Sequence, residues 1–156
     1  MPRTLQSSLC MLCMLFISFT AIAAESRSDT NQNQLGFKVA AKQVLNVMNK
    51  WARAWAQLDA RTYISSYSPD YVGKGFPSHF TWAASRQHRL ENQKNINLSL
   101  TNVEIVSTKQ GLFTVTFTQA YKSDNYQDVT RKQLDFRLIE NDWYIVAEKT
   151  LPKLEK

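Results

Sequence analysis

Apolar residues along this chain follow two rhythms in turn, a helical one and then, from Asn95, an alternating one. Val44, Met48, Trp51, Trp55 and Leu58 recur every three or four positions, and Val47 and Ala54 fill the stripe. Lys42, Gln43, Asn46, Asn49, Lys50, Arg53 and Gln57 fall elsewhere on the wheel. This predicts a long amphipathic helix over about Gly36–Leu58. Asp59 can end it and cap a short second helix, about Ala60–Ser66, because an Asp side chain accepts free N–H groups of a first turn. Ser68-Pro69 stops that helix. Tyr71–Pro77, with two glycines and a proline, reads as a loop with room for a short strand. Ser78 or Thr81 can cap a third helix, about His79–Gln93, whose stripe is Trp82, Arg86, Arg89 and Gln93.

Past Asn95, Ile96, Leu98 and Leu100 alternate with polar residues. Val103 and Ile105 then resume out of phase, which predicts a bulge near Asn102. Lys109-Gln110-Gly111 is a turn. Phe113, Val115, Phe117, Gln119 and Tyr121 alternate cleanly, and Lys122–Asn125 turns again. Val129–Ile139 follows, with Leu134, Phe136 and Leu138 on one face. Glu140-Asn141-Asp142 makes a tight hairpin, and Trp143–Lys149 closes the set before Pro152. Helices first and hairpin-linked strands afterwards predict an α+β fold, three helices covering one face of an antiparallel sheet of about four long strands.

The N-terminal segment changes what belongs to that fold. Leu9–Phe19 is an apolar run of eleven residues after the single cation Arg3, and Ala21-Ile22-Ala23 has the small-x-small pattern of a cleavage site. The run is short for a membrane span, which needs roughly 20 residues. Residues 1–23 are expected to be a Sec-type signal peptide cut after Ala23, residues 24–34 a flexible polar linker and residues 35–156 one domain, periplasmic or secreted, with no membrane span after cleavage. A permanent N-terminal anchor is the alternative. Cys10 and Cys13 both lie within the signal segment, each after a leucine, too early for lipidation. The mature chain would then have no disulfide and no thiolate metal site.

Composition is that of a globular domain, with 44% apolar and 21% charged residues. Loss of residues 1–23 removes one of 19 Lys and Arg against 13 Asp and Glu, leaving about +5. Such an excess suits a glycan-peptide polymer or acidic lipid. Nucleic acid is disfavoured by export. Charge of this size is also common on soluble proteins.

The order of elements, together with Trp51, Ala54-Trp55, Asp59, Tyr63, Tyr67, Trp82, Arg86, Arg89, Gln119, Tyr121, Tyr126, Asp128, Lys132, Leu134, Trp143, Ile145 and Glu148, resembles the nuclear transport factor 2-like superfamily. More narrowly it is similar to the accessory domain appended to periplasmic L,D-transpeptidase-type peptidoglycan enzymes. The resemblance covers about Val44–Thr150 and implies a cone, three helices over a strongly curved sheet. The catalytic domain of such enzymes would carry a cysteine nucleophile with a histidine, and the mature chain has no cysteine. The resemblance therefore implies a binding or scaffolding role toward a peptidoglycan fragment or an envelope protein.

It also implies a pocket between helices and sheet, for which Tyr63, Tyr67, Trp82, Arg86, Arg89, Gln119, Tyr121, Lys132 and Glu148 are the candidate lining. A buried guanidinium is costly unless paired. Arg86 and Arg89 are therefore expected either to hold a ligand carboxylate or to pair with Glu148 or Asp135, or stack on Trp82. Gln119 and Tyr121 either meet a ligand or join a network with Lys132 and Glu148. Trp51 and Trp55 are expected in the core. An isomerase or dehydratase of the ketosteroid-isomerase-like type would need an Asp or His base in the pocket; of the candidates, His88 is expected to face solvent, His79 to sit at a helix start, and Asp70 lies near Tyr71 with no spacing that forces it to meet a histidine. A homodimer through the sheet face is a third alternative. No metal site is expected, since His79 and His88 do not share a helix face. No phosphate loop is present, and no cofactor is expected.

Overall fold

The computed structural model describes residues 20–152, so the apolar run Leu9–Phe19 and both cysteines lie outside the described residues. The order is α1 (Thr20–Ala56), α2 (Ala60–Ser65), α3 (His79–Glu91), β1 (Ile96–Lys109), β2 (Leu112–Ser123), β3 (Gln127–Ile139) and β4 (Asp142–Leu151). The packed domain begins at Phe37. No helix among the described residues is long and apolar enough to cross a membrane.

One departure from the sequence reading is the start of α1. The helix begins at Thr20, so residues 24–34, expected as a flexible linker, are helical backbone. Neither proline nor glycine interrupts the chain between Thr20 and Leu35, so nothing forces a break. The helix ends where expected, for a clear reason. Leu58 adopts a left-handed φ of 60°, Asp59 N donates to Ala54 O at 2.8 Å, and Leu58 N donates to Trp55 O at 3.2 Å. This is a Schellman stop with leucine in the place glycine usually takes. Asp59 then caps α2 through Thr62 N. Ser78 and Thr81, either of which could cap α3, act together: Thr81 N donates to Ser78 Oγ at 3.2 Å and Ser78 N to Thr81 Oγ1 at 3.3 Å, a reciprocal capping box.

The sheet runs β1-β2-β3-β4 with every pair antiparallel. The expected bulge in β1 lies between Thr101 and Glu104, with Asn102 at φ 51°. The hairpin closes at Ile139↔Asp142, Glu140 taking φ 57°. After α2 the chain adds a parallel bridge to β4: Ser68 N donates to Ile145 O and Ile145 N to Ser66 O, both at 2.9 Å. Instead of a short strand, the Tyr71–Pro77 loop lays Gly73 against the Trp82 ring.

The core lies between the helices and one sheet face. Val44, Met48 and Trp51 from α1 and Trp82 from α3 meet Val115, Phe117, Leu134, Phe136 and Ile145 from the strands. Leu138 continues the Leu134–Phe136 face yet stays 42% exposed, because it lies at the hairpin end, beyond those core positions.

Candidate functional site

Strand alternation carries the core-facing side of the sheet from apolar to polar. On β2 it runs Phe113, Val115, Phe117, Gln119, Tyr121; on β3, Phe136 and Leu134 give way to Lys132, Thr130 and Asp128. On β4 the change depends on a defect. Asp135 pairs with Ala147 but Phe136 with Ile145, so Val146 is an extra residue. The bulge reverses the phase and sets Glu148 opposite Leu134, on the inner face.

Glu148 anchors a chain of hydrogen bonds. Trp51 Nε1 donates to the Tyr67 hydroxyl at 3.0 Å, and Tyr67 donates to Glu148 Oε2 at 2.8 Å. With its one proton thus committed, Tyr67 must accept from Tyr63, 3.1 Å away. Lys132 Nζ reaches Glu148 Oε1 at 2.8 Å. Burial, reinforced by the Glu148 carboxylate, pushes the Tyr63 phenol up. Tyr67 is raised well above its ordinary value by burial, then by Tyr63 and Glu148. Tyr71 is pushed up to about 12 by burial and Glu148.

Two adjoining cavities open where the face turns polar. The outer one, of about 440 Å³, is bordered by Trp55, Arg89, Gln119, Tyr121, Asp128 and Lys132, with Gln93, Tyr126 and Thr130. The inner one, of about 120 Å³, lies among Trp55, Tyr63, Arg86, Arg89, Lys132 and Glu148. Three cations and one carboxylate thus border the inner space, and that carboxylate is already engaged by Lys132 and Tyr67. Arg86 Nε and Gln119 Oε1 are buried without a partner. Among the described residues neither arginine pairs with Glu148 or Asp135: Asp135 is held by Thr114, Gln133 and Lys149. Nor does Gln119 join a network with Lys132 and Glu148.

Of the nine candidates, Tyr63, Arg86, Arg89, Gln119, Tyr121, Lys132 and Glu148 border these two cavities. Trp82 borders neither. It is fully buried with Tyr67 and Tyr71 at 4.6 and 4.8 Å between ring centroids, and its Nε1 has no partner. Tyr67 lies behind Tyr63 and acts on the site through Glu148. Trp51 is core as expected, whereas Trp55 is half-buried and borders both spaces. Thr130 and Asp128 were not among the candidates, although counting back by twos from Lys132 reaches them. His79 holds Tyr71 O through Nδ1 at 2.8 Å, His88 is exposed beside Asn92, and neither borders either cavity. No group of three or more metal-ligating side chains occurs among the described residues.

Residues 43–149 match the model of the Cds6 C-terminal NTF2-like domain. No curated protein sequence matches the chain significantly. Among solved structures it is similar to Bd1075 of Bdellovibrio bacteriovorus, with TM-score 0.65 and 20% identity, covering 74% of this chain and 41% of that one. A variant of the helical cell shape determining protein Pgp2 from Campylobacter jejuni has TM-score 0.62 and 18% identity, with 68% and 39% covered. A putative dehydratase of the NTF2-like family from Streptomyces avermitilis has TM-score 0.62 and 18% identity, with 76% and 99% covered. The chain thus spans about two-fifths of Bd1075 and of Pgp2.

Proposed function

The chain belongs to the family of the Cds6 C-terminal NTF2-like domain, and from that premise we propose that it is an exported, non-catalytic binding domain of the cell envelope whose pocket takes an anionic peptidoglycan fragment. The observation that carries this reading is the inner cavity. Arg86, Arg89 and Lys132 border it, and its one carboxylate is spent on Lys132 and Tyr67. Two guanidinium groups therefore border a space with no acid left to pair them. A stem-peptide carboxylate supplies the missing partner, since guanidinium forks match carboxylates in a bidentate way. The likeness to a cell shape determining protein supports a setting at the wall, and a partnership with an L,D-transpeptidase-type enzyme belongs to the same proposal.

An isomerase or dehydratase reading would need a free base at the reacting carbon. Glu148 is committed to two donors, and Asp128 lies in the outer cavity.

The test is binding of the purified protein to sacculi and soluble muropeptides, wild type against Arg86→Ala/Arg89→Ala. Charge-assisted hydrogen bonds contribute about 1.5–3 kcal/mol each, so the double variant should bind at least about tenfold more weakly while keeping its circular dichroism. Equal binding by a folded double variant, or no binding by wild type, would overturn the proposal.

A further inference from the structure

The outer cavity has a feature that carboxylate binding does not use. A line of aromatic rings runs from the core to solvent: Trp51 to Trp55 at 5.3 Å, Trp55 to Tyr121 at 5.4 Å, and Tyr121 to Tyr126 at 6.1 Å between centroids. Exposure rises along it. Trp51 is fully buried, Trp55 and Tyr121 are half-buried, and Tyr126 is 60% exposed at the β2–β3 turn. The turn is held in place. Ser123 N donates to Tyr126 O at 2.7 Å, while Asp124 accepts from Lys94 N and Asn95 Nδ2, both at 3.2 Å, tying the hairpin to the segment before β1. An exposed ring on a pinned backbone loses little freedom when it binds.

Hydrogen-bonding groups, uncharged ones as well as Arg89, Asp128 and Lys132, border the cavity along this line. Gln93 and Thr130 border the same cavity, and Gln119, only 4% exposed, has an Oε1 without a donor. A buried acceptor left empty is destabilising until something donates to it. Flat apolar rings edged by amide, hydroxyl and carboxylate groups match one ligand class, a pyranose, whose C–H face lies on a ring while its hydroxyl or acetamido N–H groups meet the polar edge.

We propose that the outer cavity is a saccharide subsite, with Tyr126 and Tyr121 as the stacking ledge and Gln119 as acceptor for a sugar N–H or O–H. This rests on the reading that the inner cavity holds a peptide carboxylate, and it divides the ligand: glycan outside, peptide acid inside.

Calorimetric titration with three probes tests it: a disaccharide-tetrapeptide, the free tetrapeptide, and a peptide-free disaccharide of two N-acetylglucosamine units, which has no carboxylate. The disaccharide-tetrapeptide should bind about tenfold more tightly than the free tetrapeptide, about 1.4 kcal/mol. Tyr126→Ala should erase that difference and leave tetrapeptide binding unchanged, and Tyr126→Trp should keep it. The peptide-free disaccharide should bind weakly to wild type and not to Tyr126→Ala. Equal affinity for the disaccharide-tetrapeptide and the tetrapeptide, untouched by Tyr126→Ala, would overturn the saccharide subsite alone. Failure of all three probes would overturn both readings. Disaccharide binding without tetrapeptide binding would overturn the carboxylate reading and the division of the ligand built on it.

Discussion

Raising the pH should unfold this domain through its tyrosines. Tyr63, Tyr67 and Tyr71 are 4%, 2% and 9% exposed, and burial first, with the Glu148 charge behind it, holds all three phenols above their ordinary value. In the unfolded chain they titrate near 10. Above that pH the folded chain keeps protons the unfolded chain has lost. The stabilisation is thus complete below about pH 10 and falls away as pH climbs toward the folded-state values, Tyr71 at about 12 and the other two also raised. With three phenols the difference approaches three protons. At about 1.4 kcal/mol per proton per pH unit, the unfolding free energy should drop by about 4 kcal/mol per unit once the unfolded phenols are ionised. Against a total of roughly 5–15 kcal/mol for an ordinary domain, two units remove about 8 kcal/mol, enough to unfold a domain in the lower half of that range. The assay is urea unfolding at constant ionic strength from about pH 8 to about pH 11.5, with tyrosinate absorbance followed in parallel. Tyr63→Phe should reduce the slope by about one third. Stability that stays flat through about pH 11, or six phenols ionising together in the folded protein, would refute the reasoning.

Two further substitutions probe the site's supports. A Cβ on Gly73 would run into Trp82 Cδ1 and lie 2.7 Å from Trp82 Nε1; the ring is wedged between Tyr67 and Tyr71, so Gly73→Ala should cost about 1–3 kcal/mol by overpacking, and an unshifted urea midpoint would mean the loop yields freely. Glu148→Gln removes the carboxylate that Lys132 and Tyr67 share; the side chains of the Lys132–Glu148 pair are 17% and 15% exposed, so after allowing for solvent screening the loss should be about 2 kcal/mol, yet muropeptide should bind more tightly to the now uncompensated cations, and a fall in both stability and affinity would contradict the charge accounting.

The sequence by itself determined the elements of this protein and its α+β order. Local chemistry is sufficient for that: Asp59 and Ser78 satisfy the first N–H groups of α2 and α3 wherever those helices pack, and the alternation from Phe113 to Tyr121 has one apolar face in any sheet. Of the seven candidates that border the cavities, Arg86 and Arg89 were already aligned by the α3 stripe, and Gln119, Tyr121 and Lys132 by strand period two. Tertiary structure decided the rest. The start of α1 lay beyond sequence reading, since a polar stretch without proline or glycine fits helix and coil alike. Only pairing with β3 shows that Val146 is the extra residue turning Glu148 inward, and only that placement engages Glu148 with Lys132 and Tyr67 and leaves Arg86 without a pairing acid. Trp82 and Tyr67 passed from candidate lining to core because the Gly73 loop and β4 close over them, contacts between segments distant in sequence. Burial and charge pairing are properties of those long-range contacts, so residue type alone could not assign them.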